Sequence, residues 1–458
     1  MKLYEGGIFI NNAILQLQQQ LEGHKDNPAA LIAEIVRAEK NTILYKGEIY
    51  TYESNVYIKQ SKKTMLAIIQ KSIPRDILSK CSLKAQKDAI ELLYATSKVI
   101  DNIPKYEDKI NLENGVYCVS NNCLKPVKPE YKFTYILNVS YNENAAAPQF
   151  MDFIKQTFKK ESMIVHIQEV FGYLISDCPP LKEFLLFYGP SNTSKSVLAA
   201  IIRGIIGNEY VSSVNIRDLN NEYYLASLCD KRLNVCSDIG STAISDLSII
   251  KQLTSPDDTL QIRHIRQDTQ LITEKPKLLF ASNHYPELVS NTEDLDAFFN
   301  RVHIIPFKNI IPKNEQIDGY AQMLLDKEKE GIFRWAMEGY RRFLSNGKQF
   351  TPAKRVLKAQ MKYRSQYMLP RDFVSHCVEF APDKKESTKD VENALKWYCE
   401  CNEVTYSTDM LQNVRKILVS KGAINKTIRK KKKTSRGFYG IKLIDPPEAN
   451  WSEYFFEE

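Results

Sequence analysis

Long apolar runs are absent from this sequence of 458 residues. A membrane-spanning helix needs about 18–20 consecutive, mostly apolar residues, and no stretch approaches that length. The first residues, MKLYEGGIFINN, contain no continuous apolar segment of the kind that forms the centre of a secretory signal. We therefore expect a cytoplasmic protein without a membrane partner.

A cysteine framework is also absent. The nine cysteines are an odd number and are scattered, and the only close pairs are Cys118 with Cys123 and Cys399 with Cys401. A structural zinc site needs a second pair of ligands nearby, which neither pair has. Free thiols in a reducing compartment are the expected state.

The composition is globular, with 43% hydrophobic and 26% charged residues, and the length allows about three domains. The net charge of +8 is unevenly distributed. Residues 341–445 contain 24 Lys and Arg against 10 Asp and Glu, which leaves 39 and 45 for the rest of the chain. This segregation indicates either a segment that binds a polyanion or a solvated basic face, and composition alone does not choose between them.

The first 180 residues predict a mixture of helices and strands. Residues 1–70 are irregular, with the strand-like NTILYKGEIYTYES before the helical TMLAIIQKSI. Residues 82–100 place Leu83, Ile90, Leu93 and Ile100 near helical spacing, which predicts one amphipathic helix. Further on, INLENGVYCV predicts a hairpin with Asn-Gly at its turn, and residues 147–176 are helical in pattern.

The remainder of the chain has a clearer pattern. Strands and helices alternate over 183–307, which is typical of an α/β domain with a mainly parallel sheet. Residues 316–380 are helical in pattern. The tail, 387–445, predicts two helices followed by a hairpin rich in Lys and Arg.

The stretch LLFYGPSNTSKSVLAAII, residues 185–202, is close to the phosphate-binding pattern G-x-x-x-x-G-K-[ST]. Lys195 can reach the terminal phosphates of a nucleotide and Ser196 can ligate magnesium. Ser194 replaces the usual glycine, at a cost on the order of 1 kcal/mol if its φ must be positive. The alternative is an ordinary strand-to-helix turn. The candidate nucleotide-binding residues are Gly189, Pro190, Ser191, Asn192, Thr193, Ser194, Lys195 and Ser196.

Three further polar residues follow or precede apolar strands. Asp238 ends KRLNVCSD, where a carboxylate can hold a magnesium-linked water. Asn283 ends KLLFASN, placed to touch a γ-phosphate or an attacking water, and Arg301 precedes the strand VHIIPF. Each alone could be a strand-end turn or a surface pair, but their order is that of a nucleotide hydrolase. We assign Asp238, Asn283 and Arg301 as candidate catalytic residues.

The spacing of these motifs is compact, since Asn283 lies 88 and Arg301 lies 106 residues after Lys195. The set resembles the superfamily 3 helicases, the AAA+-type hexameric motors of viruses, phages and mobile elements. The resemblance extends to IKQLTSPDDTLQIRHIRQD, where Lys251, Asp258 and Arg263 recur at the family's spacing. The flanks resemble poxvirus- and phage-type primase-helicases, in INLENGVYCV…QEVFGYLISD before the motor and EKEGIFRWAMEGYRRFL after it.

This resemblance implies that ATP and Mg²⁺ bind between subunits of a homo-oligomer, expected to be a hexamer. Lys195, Ser196, Asp238 and Asn283 would come from one subunit, with Ser196 and Asp238 serving the metal. Arg301 would come from the neighbouring subunit as an arginine finger. The implied activity is ATP-dependent translocation along single-stranded DNA, in the 3′ to 5′ direction.

The resemblance also implies two surfaces for DNA. A hairpin would carry Arg263, His264 and Arg266 into a central channel around a single strand. The tail resembles a winged helix, with TIRKKKKTSRGF as the wing that meets duplex DNA. The candidate wing residues are Lys430, Lys431, Lys432 and Lys433.

The expected fold is therefore α/β: an AAA+-type P-loop NTPase core, a mixed helical and strand N-terminal domain, and a C-terminal winged helix. The expected boundaries are 1–150 for the N-terminal domain, 151–315 for the motor with its preceding helical collar, 316–380 for a helical region and 381–458 for the winged helix. The expected role is the replication initiator of a mobile element in the cytoplasm of a bacterial host. A separate primase or polymerase is an expected partner, because no clustered carboxylates or histidines of a primase site precede residue 180.

Two alternatives remain open. Ser194 favours an origin-binding initiator that uses ATP as an assembly switch with little hydrolysis. Ser237 stands where many relatives carry an acidic residue, so Asp238 would hold the magnesium network and polarise water alone. The same motor also occurs in RNA-directed viral ATPases. Turnover stimulated by single strands, and competition between DNA and RNA, distinguish these alternatives from a DNA helicase.

Overall fold

The protein is described by a computed structural model that covers residues 2–22, 28–239, 244, 247–263, 269–288, 292–430 and 433–444. These residues form a mixed α/β structure with five sheets. Within these ranges no helix has the length and apolar character needed to cross a membrane.

The N-terminal elements pack around their own core, which includes Leu17, Ile32, Ile69 and Leu93. The order of the first sheet is β3-β2-β1-β4, and β1 pairs with β4 in parallel. The elements are α1 (Lys2–Glu22), α2 (Ala29–Lys40), β1 (Ile43–Tyr45), β2 (Glu48–Glu53), β3 (Val56–Gln60), α3 (Lys62–Ser72), α4 (Arg75–Leu78), α5 (Leu83–Thr96) and β4 (Lys98–Ile100).

Two predictions for this region are wrong. Residues 2–22 and 29–40 are not irregular, because they form α1 and α2, whose apolar residues, such as Leu17 and Ile32, lie in one core. The helix predicted over 82–100 ends at Thr96, since Ser97 is extended and Lys98–Ile100 pairs with β1. Leu83, assigned to the buried face of that helix, is 53% exposed.

A second small sheet and two helices lead into the central sheet. They are β5 (Lys109–Leu112), β6 (Gly115–Cys118), β7 (Cys123–Lys125), α6 (Pro148–Phe158) and α7 (Glu161–Ile175). The predicted hairpin is present, but Leu112 pairs with Gly115, so its turn is Glu113-Asn114 instead of Asn-Gly. Gly115 is the first residue of β6. A Cβ at this position would lie 2.8 Å from the carbonyl oxygen of Lys125 on β7, which explains why the residue is glycine.

The central sheet has five strands in the order β14-β8-β13-β10-β9, all parallel, as the alternation over 183–307 predicted. A separate antiparallel hairpin consists of β11 and β12. The elements are β8 (Phe184–Tyr188), α8 (Lys195–Ile206), β9 (Val211–Ser212), α9 (Glu222–Ala226), β10 (Leu233–Cys236), α10 (Ser248–Thr254), β11 (Leu260–Arg263), β12 (Thr269–Ile272), β13 (Lys277–Ser282), α11 (Thr292–Phe299) and β14 (Val302–Pro306).

Both faces of this sheet are buried, which explains the continuous apolar runs of its strands. On β8, Leu185 and Phe187 face the core that contains α7 and α8, whereas Phe184 and Leu186 face a second core on the other side. Successive side chains of a strand point to opposite faces, so a strand covered on both sides is apolar along most of its length. The polar residues inside these strands, Asn234 of β10 and His303 of β14, are buried and hydrogen-bonded. Exposed polar side chains such as Asn283 and Asp238 come just after the strands, where the candidate site lies.

The C-terminal elements are α12 (Tyr320–Ser345), α13 (Lys354–Cys377), β15 (Val378–Ser387), α14 (Thr388–Cys401), α15 (Thr408–Ser420), β16 (Ile424–Lys430) and β17 (Lys433–Leu443). The predicted order of two helices and a basic hairpin is present in the tail. The sequence did not predict β15, which joins the hairpin as a third strand in the order β15-β17-β16.

The hydrophobic cores do not follow the expected domain boundaries closely. Residues 110–139 share a core with α7, α8 and α12, so the N-terminal core ends near Ile100 and not at 150. The long helix α13 contributes to three cores, because Val356 in its first turn packs in the core that contains α7, α8 and α12. Its first half, with Ala359 and Tyr363, packs on the central sheet, and its second half, with Phe373 and Val374, packs in the C-terminal core.

Candidate nucleotide site and nucleic-acid surfaces

The candidate phosphate loop leaves the carboxyl end of β8 and enters α8. Gly189 lies between the neighbouring strands, where its N–H donates to the Ser282 carbonyl at 3.2 Å. A Cβ on Gly189 would lie 1.9 Å from the Phe307 carbonyl oxygen, so only glycine fits there. The loop is thus held by the ends of both β13 and β14.

Ser194 has the conformation that the usual glycine would adopt. It precedes α8 with φ +70° and ψ 10°, in the left-handed region. Its hydroxyl oxygen is buried and has no hydrogen-bond partner within the described part of the chain. Both features cost stability, the backbone about 1 kcal/mol.

Replacement of this serine is therefore expected to be tolerated. Ser194→Gly should leave ATP turnover unchanged or raise it, because glycine relieves the positive-φ strain. ATP turnover and thermal unfolding would be measured beside Ser194→Ala, which removes the hydroxyl but keeps the strain. Loss of turnover in both variants would contradict the expectation and assign a role to the hydroxyl.

Lys195 lies at the centre of the loop. Its ammonium donates to the Gly189 and Pro190 carbonyls, both at 2.6 Å, and to Thr193 Oγ1 at 3.2 Å. The side chain is buried, and burial lowers the pKa of this amine. Because three loop oxygens already accept from it, the cation is fixed beside the N–H groups at the start of α8, where an anion is favoured.

Asn283 contacts the loop directly. It follows β13, the strand next to β8, and its Nδ2 donates to Ser191 Oγ at 3.2 Å. Both side chains are exposed at the carboxyl edge of the sheet. The structure thus brings the predicted polar residue to the predicted loop.

Asp238 and Ser196 complete this edge. Asp238 follows β10, one strand beyond β13, and is exposed, while its main-chain oxygen accepts from Asn215 Nδ2 at 3.2 Å. Ser196 is exposed on the first turn of α8. Carboxyl ends of parallel strands share one edge, which is where α/β sheets bind ligands. No group of three or more His, Cys, Asp or Glu is arranged as a metal site within the described ranges. A hydroxyl, a carboxylate and phosphate oxygens suffice for Mg²⁺, so these residues fit that ion without such a group.

Arg301 lies at the opposite end of the parallel strands from the phosphate loop. Val302 pairs with Phe184 and Pro306 with Tyr188, so Arg301 is at the amino end of β14. Five residues of strand, about 16 Å, separate it from the loop of its own subunit. Its Nη1 donates to the Ala297 carbonyl at 2.8 Å, and its Nε is buried without a hydrogen-bond partner in the described ranges.

The hairpin predicted after α10 is present. Arg263 pairs with Thr269 at the last described position of β11 and β12, and its side chain is exposed. His264 and Arg266 lie outside the described residues. Lys251 is on α10, and Asp258 precedes β11.

The basic C-terminal hairpin is also present, with Lys430 paired to Lys433. Lys431 and Lys432 lie outside the described residues. The strands carry further exposed basic residues that sequence reasoning did not single out, namely Lys426, Arg429 and Arg436. They belong to the same basic run, and this run was the signal that could have identified them.

Comparisons with known families match two parts of the chain. Residues 18–159 match the family described as "D5 N terminal like", and residues 187–301 match a family of unknown function, DUF5906. None of the curated proteins matches this chain.

Among solved structures, the chain is similar to apo structures of the NrS-1 C terminal region. One is 12% identical with a TM-score of 0.45, and the match covers 89% of this chain and 98% of that chain. Another is 11% identical with a TM-score of 0.46, covering 91% and 100%.

Proposed function

We propose that this protein is an ATP-dependent DNA helicase that serves in replication initiation of a mobile genetic element. The observation that carries the proposal is the contact of Asn283 with Ser191 in a loop whose Ser194 has the left-handed backbone of a phosphate-binding glycine. The match of residues 18–159 to the D5 N-terminal-like family supports a replication protein of the primase-helicase type.

The loop residues act on the phosphates of ATP. Lys195 exchanges its loop carbonyl partners for phosphate oxygens, while N–H groups at the start of α8 face the same anion. Ser196 and Asp238 would hold Mg²⁺, which when bound would supply charge neutralisation at the transferred phosphoryl group. Asn283 orients the attacking water, since its amide already reaches the loop.

Arg301 acts on the site of a neighbouring subunit. It lies about 16 Å from its own loop, at the other edge of the sheet. An arginine at that edge stabilises transition-state charge only if another copy presents its carboxyl edge there. A closed ring of identical subunits satisfies this requirement at every interface, and we propose a hexamer.

Two surfaces contact DNA in this proposal. The β11–β12 hairpin, with Arg263, His264 and Arg266, grips single-stranded backbone. The C-terminal unit is a winged helix whose wing, β16–β17, contacts duplex DNA. In chain order it follows an N-terminal domain and an AAA+-type motor.

The proposal is tested by unwinding of forked DNA of each polarity, with and without ATP. The expected result is ATP-dependent strand separation with a preference for a 3′ single-stranded tail, while Lys195→Ala gives none. An RNA fork of the same sequence measures nucleic-acid specificity. If the protein binds ATP but separates the strands of none of these forks, the proposed helicase activity is wrong.

One alternative has a specific observation in its favour. The strained Ser194, together with Ser237 beside Asp238, suits an origin-binding protein that assembles on ATP but hydrolyses little. Such a protein would bind ATP and duplex DNA normally. Its turnover would not rise when single-stranded DNA is added, whereas turnover by a motor would.

The wing gives a testable prediction. Replacement of Lys430, Lys431, Lys432 and Lys433 by Gln should weaken duplex binding and flatten its salt dependence, by up to about one unit of log–log slope per phosphate contact removed. ATPase on single strands should persist because the hairpin, and not the wing, holds the translocated strand. Duplex affinity is measured at several salt concentrations.

The matched control removes four exposed lysines from the N-terminal unit. These are Lys63, Lys71, Lys84 and Lys87. The control changes the net charge by the same amount and should leave the slope nearly unchanged. Equal slopes for wing variant and wild type would mean that the basic run is a solvated face.

A further inference from the structure

Three tyrosines from distant parts of the chain stack in one column beside the phosphate loop. Tyr188 is the residue before Gly189, Tyr285 lies two residues after Asn283, and Tyr363 is on α13. Ring centroids are 3.8 Å apart for Tyr188 and Tyr285, at an interplanar angle of 11°, and 4.4 Å apart for Tyr285 and Tyr363, at 9°. The column thus joins both sides of the nucleotide site to α13.

The segment between Asn283 and Leu288, here called the sensor segment, is held by hydrogen bonds from the same helix. The Pro286 carbonyl accepts from Tyr363 Oη at 2.6 Å and from Tyr367 Oη at 3.4 Å. The Leu288 N–H donates to Tyr367 Oη at 2.9 Å. One end of the segment touches the loop, and the rest is fixed by α13.

The C-terminal unit also holds this segment. Lys416 on α15 forms an ion pair with Glu287, and Asn413 on α15 donates to the Gln366 carbonyl of α13 at 2.9 Å. The sensor segment therefore touches the nucleotide site, α13 and the proposed duplex-binding unit within six residues.

Helix α13 extends this connection to the Arg301 edge. Arg364 forms an ion pair with Asp296 of α11 at 2.9 Å and donates to Asn300 Oδ1 at 3.3 Å, just before Arg301. Gln360 donates to the Val302 carbonyl at 3.2 Å. One helix thus contacts the sensor segment, the residues on either side of Arg301 and the C-terminal core.

The packing here favours transmission of small movements. Tyr363 is fully buried, and Phe299 of α11 packs on its ring edge with centroids 5.2 Å apart. Close-packed interiors do not deform continuously, so a shift of Tyr285 must be accommodated by movement of α13 or by loss of the stack. Asn283, two residues from Tyr285, donates to Ser191 of the loop, so a phosphate bound there in the proposed function would compete for this contact.

We propose that the Tyr188–Tyr285–Tyr363 column and the Glu287–Lys416 pair make duplex binding by the C-terminal unit depend on the nucleotide in the loop. This inference rests on the proposed function, because it needs both a nucleotide site and a duplex-binding tail. Tyr285 is a positioning residue in this scheme, acting on the loop through Asn283 and on the tail through α13.

The test measures the affinity of the full chain for a mixed-sequence duplex, with and without a saturating non-hydrolysable ATP analogue. In the wild type the analogue should change the duplex Kd by about five-fold or more, and the duplex should change the affinity for the analogue by the same factor. Tyr285→Leu should reduce both factors to near one while each ligand still binds alone. Tyr285→Phe is the matched control, since it keeps the stacked ring and removes only the long hydrogen bond from Tyr285 Oη to the Ala359 carbonyl of α13 at 3.4 Å, and it should retain most of the wild-type factor.

A second set of variants does not disturb the core. Glu287 and Lys416 are both exposed, so Glu287→Lys and Lys416→Glu should fold normally. Each single change should lower the coupling factor, and the double variant should restore it. If Tyr285→Leu does not melt cooperatively and is therefore misfolded, the two single charge variants and the double variant test the coupling proposal instead.

The outcomes separate the two proposals. A wild type that binds no nucleotide refutes the proposed function. If the wild type binds both ligands but its duplex Kd is the same with and without the analogue, the coupling proposal is wrong and the proposed function stands. An unchanged factor in both Tyr285→Leu and the single charge variants also overturns it.

Discussion

Lys195→Ala is expected to abolish ATP turnover. The ammonium of Lys195 donates to three oxygens of its own loop and is buried among them. Its removal takes away the loop cation that faces the phosphates and leaves the Gly189 and Pro190 carbonyls without this donor. Steady-state ATP hydrolysis with single-stranded DNA present measures the effect, and less than a few per cent of wild-type turnover should remain.

The control for this variant is Lys308→Ala. Lys308 is exposed and directly follows Phe307, whose carbonyl faces Gly189, so the control removes the same charge at the edge of the loop. It should keep near-normal turnover. Thermal unfolding of both variants separates loss of the site from loss of the fold. Substantial turnover by a folded Lys195→Ala would mean that the nucleotide binds elsewhere.

The central sheet could be predicted from sequence because burial on both faces leaves a strong local signature. Strands such as β8 and β13 are continuous apolar runs that end in a polar residue, and ligands of parallel sheets bind at those ends. The loop and Asn283 followed from this rule. The left-handed backbone of Ser194 also followed, because the pattern places a glycine there.

Other features depend on contacts between distant residues and leave no local pattern. Tyr188, Tyr285 and Tyr363 span 175 positions, and each alone is an ordinary partly apolar residue. Gly, Asn and Gln residues interrupt the apolar positions of α1, and β15 contains Pro382 followed by Asp383, Lys384 and Lys385. Their structure is decided by tertiary partners that a single-sequence pattern does not contain.

The two edges of the sheet have different chemistry, and this division bears on assembly. The carboxyl edge carries the loop, Asn283 and Asp238, whereas the amino edge carries Arg301. Within one subunit these groups are separated by the length of β8. A site that needs all of them therefore requires a second copy, and Arg301 is the residue that tests this requirement.

Arg301→Ala should bind ATP and assemble but turn over almost nothing. The backbone of Arg301 is fixed, because its carbonyl accepts from the Phe184 N–H at 2.8 Å, while its guanidinium is held only by the Ala297 carbonyl among the contacts of the described residues. An arginine finger supplied by another subunit stabilises charge that develops during phosphoryl transfer, and its loss typically costs about 10³-fold or more in rate. ATP binding depends mainly on the loop and should change much less. Arg75→Ala, which removes an exposed arginine of the N-terminal unit, should be normal in both assays.

The decisive measurement mixes Arg301→Ala with Lys195→Ala, each inactive alone. In a mixed ring some interfaces pair the intact loop of the Arg301 variant with the intact arginine of the Lys195 variant. Turnover should return at those interfaces, and its amount should rise and then fall as the mixing ratio passes through equality. Absence of any recovery would mean that hydrolysis must proceed cooperatively around the whole ring. Near-normal turnover by Arg301→Ala alone would make the arginine structural, and the site between subunits would then be wrong.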